Sequence, residues 1–148
     1  MPDKAQQWQI PFARKAATGG LAEVALGKLA STKGASQQVK DFGNMMIMDH
    51  SKANAELMTI AQKKNLTLPA GLDAEHQAKS DSLRKLSVAA FDKAYVQAMV
   101  KGHEQTLALM QSEASGGQDA DLKMFAVKTA PVVQHHLEEI KKIQSSMK

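Results

Sequence analysis

His50, His103 and His136 each fall in the apolar stripe of a separate predicted long helix, close to that helix's middle. A single imidazole on an apolar helix face is ordinarily a core residue held by one hydrogen bond. Three of them carried to one depth form a ligand set for a transition metal, because each neutral ring offers a nitrogen lone pair. Glu23 interrupts the apolar face of a fourth helix and is the natural carboxylate partner. Neutral imidazole suits Zn, Cu, Fe and Ni, and three histidines with one carboxylate make a closed or nearly closed site. The imidazole share favours Zn or Cu over Fe. Asp49, Glu104 and Glu139 are the carboxylates nearest in sequence that can support the rings. Asp49 and Glu104 adjoin ligand candidates and so project about 100° away, whereas Glu139 lies one turn beyond His136 on nearly the same face.

These positions depend on four long helices. The first is predicted from about Ile10 or Phe12 to Ser31, with Phe12, Ala16, Gly19, Glu23, Leu26 and Ala30 on one face. Gly19, Gly20 and Gly27 surround Glu23 and leave room for ligands or close packing, and Gly34 supplies a helix stop. Residues 1–11, with Trp8 and Pro11, read as an N-terminal arm or lead-in helix ahead of a domain covering 12–148. Ser36 caps the second helix, which runs to about Asn65 with Val39, Phe42, Met46, His50, Ala53, Leu57 and Ile60 inward. The pattern breaks over about 66–87, where residues 74 to 85 suit a short polar helix. Such a linker is too long for a hairpin and long enough to traverse the fold.

Ser87 caps the third long helix, Val88 to about Ser115, with Phe91, Val96, Val100, His103, Leu107, Met110 and Ala114 inward. Gly116-Gly117 ends it, and Asp119 or Asp121 opens the fourth. Leu122, Phe125, Thr129, Val132, His136, Ile140, Ile143 and Met147 form the last stripe, and Pro131 inside this helix predicts a kink. The fold class is all-α, a four-helix bundle with a long crossover between the second and third long helices.

The depth of the histidines follows from the helix limits. The second and third helices have their midpoints at or beside His50 and His103, and His136 lies about a turn from the midpoint of the fourth, roughly 4–5 Å. Midpoints meet whether neighbours run parallel or antiparallel. Glu23 sits about five residues above the level of His50, or roughly 7–8 Å, part of which a glutamate side chain can span. His135 points off the stripe and reads as a surface residue, and His76 lies in the linker. Met45, Met46 and Met48 crowd the approach to His50; thioethers favour Cu(I), although methionine is also ordinary core filler.

Composition narrows the function classes. With 148 residues, 4% aromatics, four prolines and no cysteine, the chain suits one helical domain and has no disulfide, thiolate ligand or cysteine nucleophile. The net charge of +4 is dispersed among acids, with Lys63-Lys64 and Lys141-Lys142 among a few adjacent basic pairs, so no nucleic-acid partner is expected. No stretch reaches the roughly 18 apolar residues of a membrane span. Met1-Pro2-Asp3-Lys4 lacks the apolar core of a secretion signal, which fits a cytosolic protein or one whose leader has been removed. No Ser-His-Asp order, phosphate-binding glycine loop or paired glycosidase carboxylates are present, and no organic cofactor is indicated. Nothing in the pattern commits the chain to a protein partner or a homo-oligomer.

The run Phe12 to Ala30 resembles the opening of the bacterial ferritin-like family catalogued as domain of unknown function 4142. Val39-Lys40-Asp41-Phe42-Gly43 followed by Asp49-His50, Ala90 to Tyr95 followed by Gly102-His103-Glu104, and Pro131 with His136-Leu137 extend the resemblance over residues 12 to 143. It implies a ferritin-like four-helix bundle placed in the bacterial periplasm or envelope after removal of an export signal. It also places Glu23, His50, His103 and His136 in the family's own pattern. Di-iron ferritin-like enzymes use Glu-x-x-His on two helices, but the residues three before the histidines here are Ile47, Val100 and Val133. A ferroxidase or di-iron oxidase is therefore disfavoured. The expectation is a single-metal, His-rich interior site serving metal handling or stress protection. Two alternatives stand beside it: a metal-free envelope stress or interaction module with the histidines in core hydrogen bonds, and a mononuclear metalloenzyme.

Overall fold

Turn chemistry sets the limits of each helix. A computed structural model describes residues 4–147, with side chains from Gln9 onward. Its described residues form five helices and no strand: α1 Lys4–Lys33, α2 Gln37–Lys63, α3 Ala74–Lys85, α4 Val88–Gly116 and α5 Ala120–Ser146. Ser36, Asp73, Ser87 and Asp119 cap the last four by accepting hydrogen bonds from first-turn N–H groups, as at Val39 (3.1 Å) and Ala90 (3.2 Å). α2 ends where Asn65 takes φ 58°, which lets the Leu66 N–H reach Ala61 O at 2.8 Å.

Two readings of the chain are corrected here. The segment ahead of Phe12 is not a separate element, because α1 is helical from Lys4 and passes through Pro11. Pro11 faces solvent, where the carbonyl that loses its helix partner can be hydrated. Residues 1–3 and the Trp8 side chain lie outside the described set. Gly34 is not in the left-handed conformation of a usual helix stop. Its N–H closes α1 onto Ala30 O at 2.9 Å, and a Cβ there would meet the same oxygen at 2.7 Å. Steric closeness, not φ, requires glycine at this turn.

α1 packs chiefly on α2, and α4 on α5; the two pairs meet more sparsely along α1–α4 and α2–α5. The buried apolar residues form two lobes. One holds Leu26, Ala30, Val39, Phe42, Met46, Phe91, Tyr95, Met99, Leu137 and Ile140. The other holds Phe12, Ala16, Leu57, Met110, Leu122 and Phe125. α1 and α5 therefore run from the second lobe to the first, while α2 and α4 run the opposite way. Two successive long helices with one direction need a return path, and residues 64–87 with α3 provide it. α3 packs against α1 and α4 and buries Leu83 in the first lobe.

Inward phase follows the sequence pattern closely but not everywhere. On α5 it is Val133 that is buried while Val132 is 39% exposed, although both fit helical spacing between Thr129 and His136. α5 is helical through Pro131, which is exposed. On α4, Tyr95 and Met99 are buried on the same face as Phe91 and His103, a strict four-residue series. The glycines of α1 also differ in purpose. Gly27 and Gly43 bring α1 and α2 into backbone contact: a Cβ on Gly43 would meet Gly27 O at 2.6 Å and Ala30 Cβ at 2.9 Å. Gly20 gives space to Asn54, and Gly19 has no neighbour within 4 Å of an added Cβ.

Those distances set opposite expectations for two substitutions. Gly43→Val should lower unfolding free energy by about 1–3 kcal/mol through overpacking. Gly19→Ala should raise it by roughly 0.5–1 kcal/mol through backbone entropy. Urea titrations of both variants check this, and similar effects at the two sites would contradict the close α1–α2 crossing.

Candidate metal centre

Between the two apolar lobes lies a polar layer, to which each long helix contributes. Glu23 comes from α1, His50 from α2, His103 from α4 and His136 from α5, and all four are buried. On each helix the polar residue sits between a segment in one lobe and a segment in the other. The three rings converge: centroids are 5.2 Å apart for His50–His136, 5.5 Å for His103–His136 and 5.9 Å for His50–His103. One nitrogen from each ring lies within 4.8 Å of the others. Phe42 closes the layer on the first-lobe side, its ring 6.0 Å from His103 and 6.3 Å from His136.

The outward nitrogens define the tautomers. His103 Nδ1–H donates to Met99 O at 2.8 Å, since a carbonyl can only accept. His136 Nε2–H donates to Asp49 Oδ2 at 2.7 Å, as an ionised carboxylate also only accepts. In the neutral rings this leaves lone pairs on His103 Nε2 and His136 Nδ1. Both atoms are buried without a partner, as is His50 Nε2. A buried ring nitrogen costs about 1–3 kcal/mol while it is left without a partner.

Protonation is a poor remedy. Burial, reinforced by the neighbouring His136 and His103, pushes His50 down to about 3. Burial also lowers His136, with the Asp49 hydrogen bond acting against the shift. Both rings are thus held neutral, the form that ligates metals.

Glu23 approaches the layer from the α1–α4 side. Its Oε2 is 3.9 Å from His103 Nε2, too long for a hydrogen bond, and is itself unpartnered. A Cβ on Gly102 would lie 3.7 Å from Glu23 Oε1, an ordinary van der Waals contact that places this turn of α4 beside the carboxylate. Burial raises Glu23 above the usual carboxylate range, against the pull of His103 and of His76 on α3. Glu23 therefore adjoins one ring and lies outside the tight three-histidine set.

Of the supporting carboxylates, Asp49 alone touches a ring, and it is that of His136 on another helix. Its 100° offset from His50 on α2 aims it at α5. Glu104 is exposed, and Glu139 accepts from Lys142 Nζ at 3.4 Å instead of facing His136. His135 is exposed. Met46 belongs to the first lobe and Met48 is 73% exposed. Sequence reasoning missed Tyr95, whose hydroxyl is buried without a partner and whose ionisation is pushed well up by burial and by Glu23. The series Phe91, Tyr95, Met99, His103 carried that signal.

The family profile described as "Domain of unknown function (DUF4142)" matches residues 2–143, and the chain belongs to that family. No protein with a curated description matches it in sequence. A crystallised DUF305 fragment from Deinococcus radiodurans is similar in structure, with a TM-score of 0.82 at 9% identity over 94% of this chain and 96% of that one. At that identity the likeness concerns the fold. No helix among the described residues is long and apolar enough to cross a membrane.

The depressed histidines give the metal-free protein a defined pH response. Unfolded His50 takes up a proton near 6.5 and folded His50 only at about 3, so stability is complete above 6.5 and falls as pH drops through that window. The slope should approach about 1.4 kcal/mol per pH unit for this ring. Glu23, being raised, acts in the opposite sense, so the comparison is between wild type and His50→Leu in chelator at pH 5 and pH 7.5. Wild type should lose more stability on acidification than His50→Leu; equal losses would contradict the buried, neutral ring.

Proposed function

We propose that this DUF4142 protein is a periplasmic, ferritin-like four-helix bundle that binds one transition-metal ion in its interior layer, for metal handling or stress protection. His50, His103 and His136 supply the ligands, and Glu23, beside His103, is the carboxylate available as a fourth once it moves toward the ion. The observations that carry this reading are that one nitrogen from each of the three rings lies within 4.8 Å of the others, and that each of these buried rings holds a nitrogen without a partner. A cation would satisfy all three. The donor set fits Zn or Cu better than Fe. Asp49 behind His136 and Met99 O behind His103 fix ring orientation as the outer partners of metal-bound histidines do.

The chain's own residues also argue against the rival roles. A two-metal oxidase needs further carboxylates in the layer, and the positions three before the histidines are Ile47, Val100 and Val133. A mononuclear enzyme needs a general base beside an open position, and Glu139 is engaged on the surface with Lys142. The metal-free interaction module gains support from two core hydrogen bonds, those of His103 and His136. It gives no account of the second nitrogen on each of those rings.

Protein purified without an affinity tag should bind one equivalent of Zn²⁺ or Cu²⁺. Free metal at about 100 times Kd should stabilise it by about 2.7 kcal/mol. His50→Ala and His103→Ala should abolish the stabilisation, and Asp49→Asn should weaken affinity roughly 10–100-fold. Titration calorimetry and thermal unfolding check these outcomes. No stoichiometric binding by wild type, or unchanged affinity in both alanine variants, would contradict the proposal.

A further inference from the structure

The histidine layer is not equally shielded on its two sides. On the α1–α4 side, α3 packs across both helices. On the opposite side, a cleft of about 260 Å³ runs between α2 and α5, and His50 lies in its wall. His50 keeps 5% exposure, against 1% for His103 and 0% for His136, so it is the ring nearest to solvent. Asp49, Glu56, Lys128, Thr129 and Val132 line the same cleft. This cleft brings solvent up to one ring of the layer.

The cleft carries two carboxylates, Asp49 and Glu56, and two lysines, Lys52 and Lys128. Asp49 and Glu56 lie seven residues apart on α2 and so share one face. Asp49 is at once a wall of the cleft and the hydrogen-bond partner of His136, and its side chain is 39% exposed. Glu56 Oε2 lies 3.5 Å from Lys128 Nζ, an ion pair that joins α2 to α5 across the cleft. A cation in the cleft therefore meets Glu56, partly neutralised by Lys128, and Asp49, in the same cleft whose wall includes His50.

We propose that the α2–α5 cleft is the path by which the metal ion reaches and leaves the histidine layer, with Glu56 and Asp49 as its capture carboxylates and Lys128 as the opposing charge at its mouth. The path rests on the metal-binding reading. Val132 borders the opening while facing solvent, so a larger residue there narrows the path without entering the core. Lys101 on α4 is exposed and does not line the cleft, which makes it the matched charge control.

Stopped-flow absorbance with Co²⁺ as the probe metal tests the path on the full chain. Lys128→Glu should speed association at low ionic strength by on the order of tenfold, an effect that shrinks as salt rises. Lys101→Glu should leave it nearly unchanged. Val132→Trp should slow association and release together, with Kd held within about twofold. Equal acceleration by the two charge variants, or unaltered rates in Val132→Trp, overturns the path while leaving the site. Failure of wild type to bind Co²⁺ or Zn²⁺ at all overturns both. Circular dichroism of each variant at the working temperature confirms that rates are compared between folded proteins.

Discussion

Everything else in this fold accommodates one expensive interior layer, in which imidazole nitrogens face one another between two apolar lobes. Buried ring nitrogens without a protein partner oppose folding, and the lobes on either side must supply the burial that offsets them. Phe42 meets Tyr95 edge-to-face at 6.3 Å, and Tyr95 stacks on Phe91 at 5.6 Å, which carries an aromatic series from the layer into the first lobe. Phe12 and Phe125 pair edge-to-face in the second, at 6.5 Å. Aromatics are few in this chain, and they are spent where the core is interrupted by polar groups.

The layer holds its register because both ends of the fold are tied. At one end the Asp92 carboxylate of α4 accepts from the Ala35 and Ser36 N–H groups, at 2.8 and 2.9 Å, and so pins the α1–α2 turn. At the other, Lys64 lies 2.7 Å from Asp119, and Gln9 links Glu113 to the Asp119 backbone. A shift of one residue along a helix moves a side chain by about 1.5 Å and turns it by about 100°. Either change would break the convergence of three short imidazoles. The Gly27–Gly43 crossing adds a third constraint, holding α1 close enough for Glu23 to come alongside His103.

Much of this was legible in the sequence because it depends on distance along single helices. Ser36, Ser87 and Asp119 mark helix starts by their chemistry, and helix midpoints locate His50, His103 and His136 in one layer. Relations between helices were less legible. Asp49 reads as a neighbour of His50, yet its partner is His136, because rotation about α2 aims it at α5. Glu23 lay about five residues off the level of His50, and the structure sets it beside His103 of α4, the helix it faces. Val132 and Val133 both satisfy helical spacing, and only contact with the other helices selects between them. Tyr95 and Met99 were hidden because α4 contacts more than one neighbour and buries a wider face than a single stripe describes.

The central claim is that three buried imidazoles converge so that one metal ion takes up a nitrogen from each. Long-range ¹H–¹⁵N correlation NMR of the histidine rings reads this directly, since it distinguishes the two neutral tautomers from imidazolium and from metal-bound nitrogen. At neutral pH without metal, His103 should carry its proton on Nδ1 and His136 on Nε2. One equivalent of Zn²⁺ should then move the His50 Nε2, His103 Nε2 and His136 Nδ1 resonances together, leaving His76 and His135 in place. Imidazolium signals in the metal-free layer, or three ring nitrogens unmoved by Zn²⁺, would contradict the account.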